Sequence, residues 1–113
     1  MNVVIIDDEP EIGFVLSLEL KFSGHQAISF DSPEKAQAYL LSKPVIDVIV
    51  CDFQMPKMNG LEFFQWARQN SFDGSFFILT GEPAMDTKHL LDQGITQVLF
   101  KPQDLNKLTQ LLK

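Results

Sequence analysis

The stretch NVVIIDDEP at residues 2–10 decides how the chain begins. Asn2 to Ile6 form an apolar run of strand length without alternation, which is typical of a strand buried on both faces. Asp8-Glu9-Pro10-Glu11 then combines an N-cap residue, a proline in the first turn and a capping-box glutamate, which predicts the start of a helix. A strand that passes directly into a helix is the repeating unit of an α/β fold.

The alternation of strand and helix continues along the chain. Apolar runs of strand length follow at residues 26–30, 46–51, 75–79 and 96–100. The predicted helices are a first that ends at Gly24, a second from Ser32-Pro33-Glu34, a third from about Gly60 to before Asp73, a fourth from Pro83 to Gly94 and a fifth from about Gln103 onwards. Because short loops and right-handed crossovers permit little else, the sequence predicts a doubly wound α/β fold. This is a parallel (βα)5 sheet of five strands with helices on both faces.

The length, the net charge and the cysteine content of the chain exclude several classes of protein and of binding partner. The chain has 113 residues, enough for one core, and we expect residues 1–113 to form a single domain. Nine Lys and Arg against fifteen Asp and Glu give a net charge of −6, which disfavours direct binding to nucleic acid or to an anionic membrane. The single cysteine, Cys51, excludes an intramolecular disulfide. With no membrane-span or signal-peptide pattern either, we expect a cytoplasmic protein.

Chemically active residues follow the predicted strands. In parallel sheets of this kind, ligands bind beyond the carboxyl ends of the strands. The residues at those ends are Asp7, Asp8, Asp31, Asp52, Thr80 and Lys101. Asp7, Asp8 and Asp52 meet if the first and third strands are neighbours, as they are in the common strand order 2-1-3-4-5. A hard divalent cation relieves their repulsion, and Mg²⁺ prefers a few carboxylates, a carbonyl and water.

Asp52 is the best-placed nucleophile at this edge, because it ends the predicted central strand. Lys101 supplies an ammonium group and Thr80 supplies a hydroxyl. A carboxylate beside Mg²⁺, an ammonium and a hydroxyl can attack phosphorus, since the cation and the donors stabilise charge on the equatorial oxygens. The residues therefore favour formation of an acyl phosphate on Asp52.

Four motifs follow one another along the chain, each at the end of a predicted strand. They are Ile5-Ile6-Asp7-Asp8-Glu9-Pro10, Asp52-Phe53-Gln54-Met55-Pro56 with Asn59-Gly60, Leu79-Thr80-Gly81 and Lys101-Pro102. Together they resemble the receiver domain of two-component response regulators, over the whole chain. The resemblance implies phosphoryl transfer to Asp52 from a histidine kinase or a histidine phosphotransfer protein. It also implies the strand order 2-1-3-4-5, and output through a downstream effector protein or an output domain outside this chain.

The resemblance assigns roles to single residues. It implies that Mg²⁺ or Mn²⁺ is held by Asp7, Asp8, Asp52 and the backbone carbonyl of Gln54. It further implies that Lys101 and Thr80 bind phosphoryl oxygens and that the Lys101-Pro102 peptide bond is cis. The chain would then catalyse its own phosphorylation and dephosphorylation without being a turnover enzyme.

The predicted switch departs from the family pattern at one position. In the family, phosphorylation draws the threonine toward the phosphoryl group, and an aromatic residue three positions before the lysine moves inward behind it. That position is Val98 here, and Phe100, on the same face of the strand, is the candidate substitute. Gln54 and Glu82 occupy positions that in the family set the lifetime of the aspartyl phosphate.

The first predicted helix carries more apolar residues than one core face needs. Two stripes lie along it, namely Ile12, Leu16 and Leu20, and Phe14, Leu18 and Phe22. The second stripe is either a set of scattered surface residues or a docking patch beside Asp52. As a docking patch, it would use Phe14 and Leu18 to contact the helical bundle of a kinase or phosphotransfer protein.

Three other functions are alternatives. A flavodoxin-like FMN module needs Ser, Thr or Gly after the first strand, where this chain has Asp7-Asp8-Glu9. A phosphatase of the haloacid dehalogenase type needs an Asp-x-Asp pattern at the same place. The third alternative is a phosphorylation-independent pseudo-receiver that serves as an interaction module. Val98 favours it, whereas the complete set of acidic, hydroxyl and lysine residues argues against it.

Overall fold

Five parallel strands form one sheet in the computed structural model, which describes residues 1–112. The strands are β1 (Asn2–Ile6), β2 (Gln26–Phe30), β3 (Val48–Asp52), β4 (Ser75–Thr80) and β5 (Gln97–Phe100). Their order is β2-β1-β3-β4-β5, so the predicted fold class and strand order are confirmed. The central strand β3 is buried along its whole length, which explains why its sequence shows no polar alternation.

Helices cover both faces of the sheet. They are α1 (Pro10–Phe22), α2 (Pro33–Leu41), α3 (Gly60–Gln69), α4 (Thr87–Asp92) and α5 (Leu108–Leu111), the last preceded by a 3₁₀ turn at Leu105–Lys107. Leu20 of α1 and Leu108 of α5 belong to the core on one face. Ala36 of α2, Phe63 of α3 and Leu90 of α4 belong to the core on the other. Within residues 1–112, no helix is both long enough and apolar enough to span a membrane.

Three predicted strands have different bounds in the structure. The fifth was predicted at residues 96–100 and is Gln97–Phe100, and the other two differences affect the site. We predicted the third strand at residues 46–51, but β3 is Val48–Asp52 and carries Asp52 in register with Leu79 of β4. We predicted the fourth strand to end at residue 79, but β4 continues to Thr80, which pairs with Phe100 of β5. Both differences place a chemically active residue inside a strand, where ladder hydrogen bonds hold its backbone.

Several predicted helix ends also differ, because side chains cap or turn the backbone locally. Helix α1 has Glu9 and not Asp8 at its N-cap, since the Glu9 N–H donates to Oδ1 of Asp7 at 2.9 Å. Helix α4 begins only after Asp86, whose carboxylate accepts from the N–H of His89 at 3.1 Å. The fifth helix starts later than predicted, because Asp104 draws the chain into a turn by accepting the N–H of Phe100 at 2.9 Å.

The start of α3 holds the loop after Asp52 in place. Asn59 and Glu62 form a capping box, in which each side chain accepts the other residue's N–H, at 2.8 and 2.9 Å. Gly60 lies so close to β3 that an added Cβ would be 2.9 Å from the carbonyl oxygen of Asp52 and 2.7 Å from Cδ1 of Ile78. Only glycine allows this approach.

Candidate functional site

The acidic residues that follow β1 and end β3 meet at the carboxyl edge of the sheet. Ile6 and Cys51 are register partners, so the next residues, Asp7 and Asp52, lie side by side. Both are buried, whereas Asp8 is exposed. One carboxylate oxygen from each of the three lies within 4.8 Å of the others. The strand order thus brings together the three carboxylates that the sequence predicted as a cluster.

Lys101 reaches into this cluster from the end of β5. Its Nζ donates to Oδ2 of Asp7 at 3.0 Å and lies 3.3 Å from Oδ1 of Asp52. A third carboxylate, Oε1 of Glu9, lies 3.6 Å from the same Nζ. The Lys101 side chain is only 11% exposed. Sequence reasoning assigned Lys101 to the site but missed Glu9, whose position directly after Asp8 was the available signal.

Burial and mutual repulsion change the titration of these carboxyl groups. Burial, with contributions from the carboxyl groups of Asp8 and Asp7, raises the pKa of Asp52 to about 7, although Lys101 opposes the shift. Burial also raises the pKa of Asp7, against the opposing hydrogen bonds from the Glu9 N–H and Lys101. Without a cation, ionising all of these carboxyl groups is unfavourable. A bound cation would offset their repulsion, so the cluster is suited to bind one.

The donor set fits a hard divalent cation. Three carboxylates converge, and oxygen ligands of this kind favour Mg²⁺ over metals that prefer thiolate or imidazole. On Lys101, burial lowers the pKa, but ion pairing with Asp7 and Asp52 outweighs it, so the net pKa is raised and the ammonium stays charged. A cation and an ammonium together offset the charge that a phosphoryl group would bring.

The site opens to solvent through a cavity of about 470 Å³. Its lining residues are Asp8, Glu9, Ile12, Asp52, Gln54, Gly81, Lys101, Pro102 and Leu105. The Gln54 N–H points back to Oδ1 of Asp52 at 3.4 Å. The peptide bond between Lys101 and Pro102 is cis. Because Asp52 lines this cavity, its buried carboxylate borders a space that is open to solvent.

The family model of the response regulator receiver domain matches residues 3–113. The chain belongs to the response regulator receiver family. Such domains are signalling modules of two-component systems and not classical enzymes.

Relatives and solved structures agree with this assignment. The receiver domain is 32% identical over 114 residues to the transcriptional regulatory protein QseB of Haemophilus influenzae, and the match covers 100% of this chain and 51% of QseB. It superposes on the response regulator receiver protein of Pseudomonas putida with a TM-score of 0.87 and 28% identity, over 98% of this chain and 93% of the other. TrrA of Thermotoga maritima, solved in complex with Mg²⁺-BeF, gives a TM-score of 0.83 at 23% identity, over 98% and 95% of the two chains.

The curated relatives are longer than this chain. The receiver domain spans between 18% and 51% of the first four that it matches.

The residues predicted to form the switch, Thr80, Val98 and Phe100, do not line the cavity. Thr80 is buried at the end of β4, and its Oγ1 accepts the Glu82 N–H at 3.0 Å. Phe100 is its register partner on β5, whereas Val98 pairs with Ile78, two residues further from the carboxyl end of the sheet. Val98 is buried and Phe100 is partly buried, both in the same core. The Glu82 carboxylate accepts the N–H of Ala84 at 2.9 Å and does not line the cavity.

The residues predicted to dock a partner are exposed on α1. Phe14 is 60% exposed and Leu18 is 38% exposed. Neither lines the cavity at Asp52, but Ile12 and Leu105 do. Phe14 and Leu18 therefore lie outside the lining of the cavity, and Ile12 and Leu105 are the apolar residues of the α1 and α5 region that border it.

Proposed function

We propose that this receiver domain, residues 1–113, accepts a phosphoryl group on Asp52 from a histidine kinase or a histidine phosphotransfer protein and acts as a cytoplasmic signalling switch. The observation that carries the proposal is the contact of one buried ammonium, Lys101, with the carboxylates of both Asp7 and Asp52. A structural ion pair needs one carboxylate. Two carboxylates on one lysine, beside a third from Asp8, leave a net negative site suited to a cation and an incoming phosphoryl group.

The transfer assigns one role to each side chain. A carboxylate oxygen of Asp52 attacks phosphorus, the new O–P bond forms, and the P–N bond to the donor histidine breaks with its electron pair going to the imidazole. Lys101 and the hydroxyl of Thr80 bind phosphoryl oxygens. Asp7, Asp8, Asp52 and the carbonyl of Gln54 would hold Mg²⁺ or Mn²⁺. When bound, that cation supplies positive charge at the equatorial oxygens.

The cation assignment depends on this chain's own residues. TrrA was solved with Mg²⁺-BeF, and we extend the same cation to this receiver domain because Asp7, Asp8 and Asp52 present three converging carboxylates. The raised pKa of Asp52 supports a site in which a cation is needed to favour the ionised carboxylate at neutral pH.

The readout is proposed to run through Thr80 and Phe100. The Thr80 hydroxyl binds the Glu82 N–H, so a phosphoryl group that attracts this hydroxyl would alter the loop after β4. Phe100 lies beside Thr80 on the neighbouring strand and is the nearest aromatic candidate to follow that movement. Gln54 lines the cavity and is the stronger candidate of the two lifetime residues, since the Glu82 carboxylate is bonded within its own loop.

The partners follow from the same proposal. Phe14 and Leu18 would widen the contact with the helical bundle of the phosphodonor. The output would pass to a downstream effector protein or an output domain. With a net charge of −6, the receiver domain itself is not expected to bind nucleic acid or an anionic membrane.

The deciding experiment is the intact mass of the protein after incubation with acetyl phosphate and Mg²⁺. We expect one labile phosphoryl increment on the wild type, and none on Asp52→Asn or in EDTA. If no increment forms, binding of beryllofluoride distinguishes a short-lived acyl phosphate from a site that accepts no phosphoryl group. Absence of both signals would favour the pseudo-receiver alternative.

A further inference from the structure

Glu9 contacts the catalytic lysine from the solvent side. Its Oε1 lies 3.6 Å from Nζ of Lys101, and its side chain is 63% exposed, compared with 11% for Lys101. The same ammonium already contacts Asp7 and Asp52 in the interior. Glu9 is therefore an additional carboxylate on Lys101, placed where the cavity opens.

The structure of α1 does not require the Glu9 carboxylate. Glu9 occupies the N-cap position, but its side chain accepts no capping hydrogen bond. The backbone of Glu9 holds the start of the helix, since its N–H donates to Asp7 and its carbonyl accepts from the N–H groups of Ile12 and Gly13. Among the described residues, Lys101 is the one ion-pair partner of this carboxylate. A change confined to the side chain should leave the helix start intact.

The Glu9 carboxylate changes the net charge of the site. Four carboxylates, from Asp7, Asp8, Glu9 and Asp52, surround one ammonium, so the fully ionised site has a formal charge of −3. A bound divalent cation would bring the charge to −1, and loss of the Glu9 charge would bring it to zero. An incoming phosphodonor is an anion, so this last unit of charge repels it at the mouth of the cavity.

We propose that Glu9 is a positioning residue that competes with the incoming phosphoryl group for Lys101 and so restrains phosphorylation of Asp52 by small anionic phosphodonors. The inference rests on the proposed function for its phosphorylation readout. Before transfer, Lys101 is shared among Asp7, Asp52 and Glu9. When a phosphoryl group arrives, its oxygens replace the Glu9 carboxylate on the ammonium, and Glu9 turns to solvent.

The test compares Glu9→Gln with Glu11→Gln. Both changes remove one negative charge near the start of α1, but Glu11 lines a different groove, with Val15 and Glu19, and is not an ion-pair partner of Lys101. Initial rates of labelling by acetyl phosphate are measured at saturating Mg²⁺ and several salt concentrations. Inorganic phosphate is titrated against the Mg²⁺-loaded protein and followed by backbone amide NMR shifts at the cavity, which requires no acyl phosphate chemistry.

We expect Glu9→Gln to label roughly three- to tenfold faster than the wild type at low ionic strength, with the ratio falling as salt screens the charge. Inorganic phosphate should bind more tightly to the same variant by a similar factor. Glu11→Gln should stay close to the wild type in both assays. A helix defect would not produce this salt dependence.

Equal behaviour of the two variants, or a Glu9→Gln variant no faster than the wild type, would overturn the role of Glu9. Absence of Asp52-dependent labelling in every variant would instead refute the proposed phosphorylation. In that case the phosphate titration still decides whether Glu9 competes for Lys101.

Discussion

Nζ of Lys101 lies 3.0 Å from Oδ2 of Asp7, although the two residues are 94 positions apart in the chain. The contact joins the end of β5, at one edge of the sheet, to the end of β1, with β3 and β4 lying between the two strands. It places a positive charge inside the proposed cation site. The charge balance at this site is the basis of the first two predictions.

Lys101→Met is expected to separate cation binding from phosphorylation. Removing the ammonium takes one repulsive charge away from an incoming divalent cation, so Mg²⁺ should bind about two- to tenfold more tightly. Labelling by acetyl phosphate should fall at least about tenfold, because the phosphoryl oxygens lose a charged donor. Calorimetric Mg²⁺ titration and intact-mass labelling measure the two effects. Weaker Mg²⁺ binding together with weaker labelling would point to general damage at the site.

The pKa of Asp52 predicts how stability depends on pH. A folded-state pKa of about 7 lies above the ordinary value of 3.8 for an aspartate, so the folded protein holds this proton more tightly than the unfolded chain. The resulting stabilisation is present below about pH 4 and is lost as the pH rises through 7. The full shift is worth about 4 kcal/mol at pH 8. Solvent in the open cavity screens part of it, so without divalent cations Asp52→Asn should exceed the wild type in free energy of unfolding by about 2 kcal/mol at pH 8, and by progressively less toward pH 5.

Urea unfolding in EDTA at pH 5, 6.5 and 8 tests this expectation. The difference between the two proteins should grow across the series. A difference that is constant with pH would show that Asp52 titrates normally. Adding Mg²⁺ at pH 8 should stabilise the wild type and have less effect on Asp52→Asn, because a ligand stabilises the state that binds it.

Gly60 and Gly81 form a matched pair for a packing test beside the site. A Cβ on Gly60 would lie 2.7 Å from Cδ1 of Ile78 and 2.9 Å from the carbonyl oxygen of Asp52, whereas a Cβ on Gly81 meets nothing within 4 Å. Gly60→Ala should destabilise the fold by about 1–3 kcal/mol, the usual range for overpacking. Gly81→Ala should have little effect on stability. Equal urea midpoints for the two variants would contradict the close packing of α3 on β3.

Phe100→Ala is expected to weaken the proposed readout while phosphorylation persists. Phe100 is the register partner of Thr80, and Val98 pairs with Ile78 further from the site, so Val98→Ala is the control. Amide NMR shifts on adding beryllofluoride and Mg²⁺ should spread through β4, β5 and α4 in the wild type. In Phe100→Ala, they should stay close to Asp52. Identical shift patterns in the two variants would remove Phe100 from the switch.

The α1 surface predicts a difference between phosphodonors. Phe14→Ala and Leu18→Ala should label normally with acetyl phosphate but accept phosphate from the cognate kinase about fivefold more slowly, the scale of about 1 kcal/mol lost at an interface. Phe22→Ala is the control, since Phe22 is 90% exposed at the far end of the same helix. Unchanged kinase transfer in both test variants would assign this stripe to scattered surface residues.

The sequence determined the order of elements and the chemistry available at the sheet edge. Apolar runs without alternation marked strands buried on both faces, and Ser32 and Pro33 marked a helix start correctly, because these signals act over a few neighbouring residues. Asp7, Asp52, Thr80 and Lys101 were found because each follows or ends a strand. Parallel strands carry such residues to one edge.

Only the tertiary structure decided which groups contact one another. The position of Glu9 directly after Asp8 places it near the site, but its distance of 3.6 Å from Lys101 depends on how α1 and β5 pack across the same sheet. The late start of α5 was missed for a different, local reason, since the Asp104 carboxylate accepts the N–H of Phe100, four residues earlier, and so competes with the helix. Local propensity sets which residues lie in strands and helices, whereas the charge balance at Asp52 arises from strand order and packing between residues distant in the chain.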